Sequence, residues 1–252
     1  RGRLAGWLPD QNGNAALPAA LTAELTLRYP DGHADTICTD ASWQTAESAV
    51  RFSELYDGET YDAAFEPSVW TPAALYDGPT DTLIEQQGEP VREQERIAPA
   101  RIFKTPAGET VVDFGQNLTG YVEIALDGVK GEAVELSHAE VLDKNGNFYT
   151  ENYRSAKAKY LYFCKDGAQR YKPKLTFYGF RYIRVDRFPG GAENVAPENF
   201  TAIAVHSDMK RTGYLSCSDP LLNKLFENVI WGQKGNFLDV PTDCPQRDER
   251  LG

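Results

Sequence analysis

Tyr121-Val-Glu-Ile-Ala-Leu126, closed by Asp127-Gly128 and followed by Ala133-Val-Glu-Leu136, decides the fold class. Apolar and polar residues alternate, which gives a strand one buried and one solvated face. The Asp-Gly pair supplies turn chemistry between the two runs. The same texture extends outward through Arg101-Ile-Phe103-Lys104, Thr110-Val-Val-Asp-Phe114, Lys159-Tyr-Leu-Tyr-Phe163 and Phe180-Arg-Tyr-Ile-Arg-Val185. Gly115, Gly120, Asn145-Gly146, Asp166-Gly167 and Gly190-Gly191 punctuate these runs. Strands with tight turns and no helical pattern between them predict a β-sandwich, not a βαβ arrangement. Upstream, Leu25-Thr-Leu27-Arg-Tyr29, Pro30-Asp-Gly32 and Ala34-Asp-Thr-Ile37-Cys38 read as a hairpin. Pro67 to about Arg96 reads as a long connection, with a boundary near Gly88-Glu-Pro90.

The period changes once. Ser218-Asp219-Pro220 carries a helix start, a side-chain cap followed by a proline whose missing N–H costs nothing there. Leu221, Leu222, Leu225, Phe226, Val229 and Ile230 then recur at helical spacing, and Gly232 or Gly235 ends the run. One amphipathic helix cannot bury its own apolar face. The expectation is that it packs with further helices that this sequence does not contain.

The chain has 252 residues, more than one core usually needs. Its 41% hydrophobic and 25% charged residues describe a globular protein, and no apolar run approaches the ~20 residues of a membrane span. Acidic residues outnumber basic ones by 37 to 26, a net charge of −11 that would repel a phosphate backbone. Neither nucleic acid nor membrane is expected as a partner. Cys38, Cys164, Cys217 and Cys244 form no paired motif and have no His at metal-ligand spacing, so no structural metal is assigned. Reduced thiols favour a cytosolic home. Arg1-Gly-Arg-Leu-Ala-Gly-Trp7 lacks a signal pattern, but it opens abruptly enough to leave a removed leader open.

Past the helix, Asp239-Val-Pro241-Thr-Asp243-Cys-Pro245-Gln-Arg247-Asp248-Glu249-Arg250 gathers four carboxylates and two guanidinium groups. Two prolines four residues apart forbid regular helix and push Val240 and Cys244 toward extended backbone. A stiff loop of unlike charges can be a solvated salt-bridge web, or it can hold a neutral polar ligand by paired hydrogen bonds. In extended chain Asp243, Arg247 and Glu249 share a side, with the two outer residues roughly 20 Å apart, so the loop must curl for both to touch one ligand.

Asn236 to Gly252 resembles the signature at the entry of the catalytic barrel in bacterial α-L-rhamnosidases, glycoside hydrolase family 78. Asp113-Phe-Gly-Gln-Asn-Leu-Thr-Gly120, His138-Ala-Glu-Val-Leu142, Thr150-Glu-Asn152, Phe177-Tyr-Gly-Phe-Arg-Tyr182, Val205-His-Ser-Asp208 and Cys217-Ser-Asp-Pro-Leu-Leu222 follow in the family's order. Leu55-Tyr-Asp-Gly-Glu-Thr-Tyr-Asp62 extends the likeness toward the amino terminus. The resemblance implies a mainly β chain: two β-sandwich domains, at 1–90 and 91–208, followed at 209–252 by the first helix and acid loop of a truncated (α/α)6 barrel. It implies inverting hydrolysis of terminal α-L-rhamnosyl residues. Glu249 then matches the general acid, and Asp243 and Arg247 match residues that grip the rhamnose hydroxyls. The family's general base lies further downstream than Gly252, so the fragment alone is expected to be inactive. Rhamnose-containing glycosides or polysaccharides are the implied partners, and no cofactor is required.

Asp57, Glu59 and Asp62, grouped with Tyr56 and Tyr61 around Gly58, are a candidate carbohydrate or calcium site of the kind that rhamnose-binding modules use. A polar turn with packed tyrosines is the plainer reading. Tyr149, Tyr153, Tyr160, Tyr162, Phe163, Tyr171, Phe177 and Tyr178 are assigned to the sandwich core, as are Trp7, Trp43, Trp70 and Trp231. His33 is assigned to the surface, His138 to a structural hydrogen bond and His206 to the joint between sandwich and helix. The competing function is a non-catalytic carbohydrate-binding or interaction module made of the sandwiches alone.

Overall fold

The structure is a computed structural model and describes residues 20–78 and 83–248. The chain forms two compact units, residues 1–49 with 65–85, and residues 50–64 with 86–252. In the smaller unit β1 (Glu24–Arg28) and β2 (Ala34–Cys38) pair antiparallel around Pro30-Asp-Gly32, as predicted. Gly32 takes φ +91 and donates its N–H to Tyr29 O at 3.0 Å. Two further short strands, β3 (Gln44–Thr45) and β6 (Thr71–Pro72), pair with each other. Trp43 and Trp70 were expected in the core. Trp70 is 57% exposed, and Trp43 is also exposed, resting its indole N–H on Cys38 O at 3.2 Å. Each described sheet of this unit has only two strands, which provides no opposing layer to cover them. Trp7 lies outside the described residues.

The larger unit begins earlier in the sequence than the predicted boundary. β4 (Val50–Glu54) and β5 (Gly58–Asp62) join its sheet, where β5 runs parallel to β13 (Lys159–Phe163). Gly58 makes this possible. At φ +107 a β-carbon there would lie 1.7 Å from Lys159 O, so only glycine lets the strands close. The segment predicted as a connection also contains a strand, β7 (Val91–Ile97). Its pattern Val-Arg-Glu-Gln-Glu-Arg-Ile hides it because it is a sheet edge with mostly charged side chains in solvent.

The remaining strands of this sheet are β8 (Arg101–Lys104), β9 (Thr110–Gly128), β10 (Ala133–Ala139), β14 (Gly167–Tyr171), β15 (Tyr178–Arg187) and β16 (Phe200–Ser207). A separate small ladder joins β11 (Val141–Leu142) to β12 (Phe148–Tyr149). Ten strands form one curled sheet, ordered β4-β5-β13-β10-β15-β9-β16-β7, with β8 and β14 also on β9. The organising element is β9. Its first residues pair with β8 and β15, and its last with β16 and β14, so one continuous strand serves both sides of the core. Two of the predicted strand runs are thus one 19-residue strand. Gly115 and Gly120, predicted as turns, are bends within it.

Between Asp113 and Leu118 the register slips. Residues 114–117 of β9 lie opposite Arg181 alone on β15, a wide bulge that Gly115 permits at φ +76. At Gly120, φ +156, a β-carbon would sit 1.9 Å from Ile203 O. Inside, Val112, Leu118, Val122, Ile124, Val134, Leu136, Tyr160, Phe180 and Ile183 are buried together with the predicted tyrosines. Tyr153, Tyr162, Tyr171 and Tyr178 are buried as expected, while Tyr149, Phe163 and Phe177 are half-buried. Tyr171 stacks on Tyr61 at 4.0 Å between centroids, and the more distant Tyr162, at 5.2 Å from Tyr171, lies within the range in which aromatic pairs add to simple burial.

α1 (Pro220–Gly235) begins where the sequence predicts, with Asp219 accepting the Leu221 N–H at 2.8 Å and proline in the first turn. It ends at Gly235. Only part of its apolar face meets the sheet. Trp231 packs half-buried against the core, Phe226 is half-buried with the Arg211 guanidinium 5.4 Å from its ring centroid, and Ile230 is half-buried, whereas Leu221 is 77% exposed and Leu222, Leu225 and Val229 are exposed too. Lys234 bonds Glu95 on β7, and Glu95 stands 3.6 Å from His206 on β16, so His206 serves the joint as expected.

Gly120→Ala should lower the stability of the larger unit by roughly 2 kcal/mol or more, because backbone and not a flexible side chain occupies the space. Gly131→Ala, at φ +97 with nothing within 4 Å, carries only the backbone strain and should cost about 1–2 kcal/mol, less than Gly120→Ala. Urea unfolding of the two variants checks this, and equal losses would contradict the close-approach account.

Candidate functional site

The charged loop is shaped by its own backbone before any ligand is considered. After α1, Asn236 caps the helix through its N–H to Gln233 O at 3.1 Å. β17 (Phe237–Leu238) turns at Asp239, φ +70, into β18 (Val240–Pro241), and the Asp239 N–H donates to Ser207 Oγ at 2.9 Å. Val240 is extended, as its following proline requires. Thr242 N–H returns to Asn236 O at 2.9 Å, and Asp243 then adopts φ +65. A non-glycine residue reaches this region at a cost, with Asp among the residues that tolerate it best.

Beyond Asp243 the loop settles on the sandwich. A β-carbon at Gly179 would lie 2.8 Å from Gln246 N and 3.0 Å from Pro245 C, so the loop backbone is pressed onto β15. Asp248 is 2% exposed. Its carboxylate accepts the Ser155 N–H at 3.1 Å and the Ser155 hydroxyl, and its carbonyl accepts Arg154 Nη1 at 3.2 Å.

The β9 bulge forms the other wall. Buried Asp113 receives Arg181 Nε at 2.7 Å and Nη2 at 3.0 Å, Arg101 Nε at 3.2 Å and the Gly115 N–H at 2.8 Å. Burial pushes its pKa up, but the Arg181 guanidinium and the Gly115 amide prevail and hold it below the ordinary carboxylate value. The clamp fixes the bulge, which presents Gln116 and Asn117 outward. Asn117 Nδ2 bonds Glu140 Oε1 at 3.0 Å, and Thr119 donates to Gly235 O at 2.7 Å, tying the helix end to the sheet. Between bulge and helix lies a cleft of about 400 Å³, lined among others by Asn117, Glu140, Asn228, Trp231, Asp243 and Gln246. Amide and carboxylate groups in such a cleft can bind the hydroxyls of a polar ligand; the Trp231 ring beside them carries Lys234 Nζ 4.5 Å from its centroid.

Of the predicted site residues, Asp243 is exposed and lines this cleft. Arg247 is half-buried four positions on, and Glu249 lies outside the described residues. Asp239 is exposed, and Asp248 is committed to Ser155. Between Asp243 and Arg247 the chain is not extended, because the backbone turns at Asp243 and then rests over Gly179. Asp57, Glu59 and Asp62 do not fit one calcium ion as placed. Glu59, 1% exposed, accepts the Tyr171 hydroxyl at 2.6 Å and the Lys174 and Leu175 N–H groups at 3.1 Å, donors that occupy its oxygens with protons. Asp57 pairs with Lys157 at 3.4 Å, and Asp62 accepts the Ala64 N–H at 3.0 Å. Among the described residues no group of three His, Cys, Asp or Glu side chains could share a metal ion. Residues that sequence reasoning did not single out are Arg154, Ser155, Asn117 and Thr119. The last two sit inside a quoted motif, but the Ser155 segment has no local pattern to mark it.

Three family models match along the chain: the α-L-rhamnosidase N-terminal domain at 5–95, the bacterial α-L-rhamnosidase concanavalin-like domain at 103–206, and the bacterial α-L-rhamnosidase 6 hairpin glycosidase domain at 210–252. The chain belongs to the bacterial α-L-rhamnosidase family. An α-L-rhamnosidase of Streptomyces avermitilis is 38% identical over 245 residues, 92% of this chain and 24% of that protein. One from an Alteromonas species is 40% identical over 251 residues, 93% of this chain and 27% of the relative. The solved structure of native α-L-rhamnosidase from Aspergillus terreus superposes with TM-score 0.85 at 40% identity, over 92% of this chain and 28% of that one. The Streptomyces avermitilis enzyme complexed with L-rhamnose gives 0.84 at 37% identity, over 92% and 23%. This member of the rhamnosidase family thus spans about a quarter of the length of the curated relatives it matches.

His138 in this rhamnosidase-family chain is structural, as predicted. It is fully buried, stacked on Tyr178 at 3.8 Å between centroids, and its Nδ1 bonds Ala158 O at 2.8 Å. Burial lowers its pKa to about 4, against smaller upward pulls from the Ala158 carbonyl and Asp186. With a folded value near 4 and an unfolded value near 6.5, the unfolded chain binds the extra proton between those pH values. Stability should therefore fall by about 2 kcal/mol from pH 7 to pH 5, before the carboxylates titrate. Urea unfolding at the two pH values checks this, and His138→Gln should flatten the difference.

Proposed function

We propose that the protein carrying this chain removes terminal α-L-rhamnosyl residues by inverting hydrolysis, with Glu249 as general acid. Asp243 and Arg247 hold the sugar hydroxyls, and a second carboxylate outside this chain activates water. Asp243 carries the reading on the structural side, because its backbone turn holds it at the rim of a polar cleft with an aromatic wall. Support from relatives comes from the three consecutive matches and from the rhamnose complex of the Streptomyces avermitilis enzyme.

The chemistry suits the residue types. A sugar alkoxide leaves poorly, so a proton delivered to the glycosidic oxygen lowers the barrier, on the order of 10²–10⁴-fold for a well-placed acid. Inversion needs the second carboxylate across the sugar at roughly 6.5–9.5 Å, leaving room for one water. Asp248 is unsuited to that task because its oxygens are occupied by Ser155. Asp243, adjacent to the sugar, suits bidentate acceptance from vicinal hydroxyls. No cofactor enters the proposed chemistry. A free-standing binding module is disfavoured by α1, whose Leu221, Leu222, Leu225 and Val229 present an open apolar stripe suited to further helices.

The complete protein should release L-rhamnose from an aryl α-L-rhamnoside, and Glu249→Gln should reduce kcat at least a hundredfold on a substrate with a poor leaving group. Wild-type rates in that variant would refute the acid assignment. Purified residues 1–252 should show no turnover, and measurable hydrolysis by them would overturn the downstream base.

A further inference from the structure

We propose that Ser155 and Asp248 are positioning residues for Glu249, a reading that rests on Glu249 being the general acid. Asp248 is its immediate neighbour in sequence, and a buried carboxylate with two hydrogen bonds to one serine fixes the backbone from which the next residue departs. Arg154 holds the carbonyl of the same residue at 3.2 Å, on the peptide that links 248 to 249. One turn earlier, the backbone of Pro245 and Gln246 fills the space where Gly179 lacks a side chain. The loop is thus held at both ends of residues 245–248 by the sandwich.

The holding segment is itself over-determined. A 3₁₀ turn, Glu151–Tyr153, precedes Arg154, which takes φ +55, and Ala158 takes φ +46. Each such conformation costs roughly 1 kcal/mol or more in a residue with a β-carbon, and persists only when its surroundings enforce it. The surroundings here are the Tyr153 hydroxyl donating to Gly179 O at 3.1 Å and the His138 ring on Ala158 O at 2.8 Å. Gly179 therefore meets the loop on one side and Tyr153 on the other, joining the 151–158 segment, β15 and residues 245–248 into one block. A Ser155–Asp248 bond serving only to attach a loop would need no strained backbone on its donor side. Proton transfer does need such precision, since a displacement of about 1 Å can cost on the order of 10²-fold in rate.

The test uses the complete enzyme and a series of aryl α-L-rhamnosides from dinitrophenyl, whose phenolate leaves without protonation, to unsubstituted phenyl, whose phenolate needs it. Glu249→Gln should lose activity more steeply as the leaving group becomes more basic. Ser155→Ala and Asp248→Asn should follow the same trend at smaller amplitude: about tenfold or more in kcat for phenyl, less than about twofold for dinitrophenyl, with KM nearly unchanged. Ser155→Thr, which keeps the hydroxyl, should restore most of the phenyl rate. A loss equal across the series, or no loss, in folded Ser155→Ala and Asp248→Asn would overturn the positioning role. If Ser155→Ala does not fold, Asp248→Asn and the Ser155→Thr rescue decide by the same slopes. Were Glu249→Gln itself insensitive to the leaving group, the acid assignment would fall with it. A steep Glu249→Gln series beside flat Ser155 and Asp248 series removes the present inference alone.

Discussion

The carboxylate of Asp113 is the constraint on which the larger unit's geometry depends. It lies buried where β9 leaves its ladder, and it receives a two-point guanidinium bond from Arg181, a further bond from Arg101 and the amide of Gly115. Removing one partner from a pair of this kind leaves an uncompensated charge and costs several kcal/mol, on the order of 3–5. The same contact explains why a single residue of β15 can face four of β9. Without it the bulge at 114–117 would have no reason to stay open, Asn117 would not reach Glu140, and Thr119 would not meet the end of α1. The polar rim of the core is thus aimed by this charged cluster.

Strands were legible where one face is buried and the other is not. Lys159–Phe163 and Arg101–Lys104 have the bounds that alternation predicts. Of the strands that escaped, β7 and β14 lie at edges, where burial writes no clear pattern: β7 is a run of charges, and β14 pairs with β9 alone; β16 escaped for the opposite reason, since it lies between β9 and β7, is buried along nearly its whole length, and so does not alternate. Gly115 and Gly120 misled for a different reason. A glycine that ends a strand and a glycine that lets a strand bend or approach another backbone look identical in sequence, and only Ile203 across from Gly120 distinguishes them. The joining of residues 50–64 to the larger sheet was likewise illegible, because parallel pairing of β5 with β13 spans about a hundred residues and leaves no local trace.

At the site, composition singled out a charged loop but not the path of its backbone. Counting alternate residues from Asp243 assumes an extended chain, and two positive φ values, at Asp239 and Asp243, remove that assumption. Residue type could not tell which carboxylate was structural. Asp248 and Asp243 are both flanked by polar residues, yet one is enclosed by Ser155 and Arg154 and the other stands at a cleft. The partners of Asp248 come from a segment nearly a hundred residues upstream. Glu59 teaches the same lesson in the opposite sense, since three acids around a glycine suggest a cation site until the Tyr171 hydroxyl and two backbone amides are found on one of them.

The exposed stripe on α1 and the anchored loop beside it follow from one division of labour. A helix whose half-buried side is fixed to the sheet by Thr119 and by Lys234 on Glu95 can leave Leu221, Leu225 and Val229 outward without losing its orientation. The loop that follows inherits that orientation and is fixed again at Gly179 and Ser155. Neither attachment uses the apolar stripe. The shape of residues 245–248 is therefore set without the stripe, and hydrophobic contact, which is strong but non-directional, plays no part in fixing it. Hydrogen bonds, which are weaker in net terms but directional, are used at the position where direction matters.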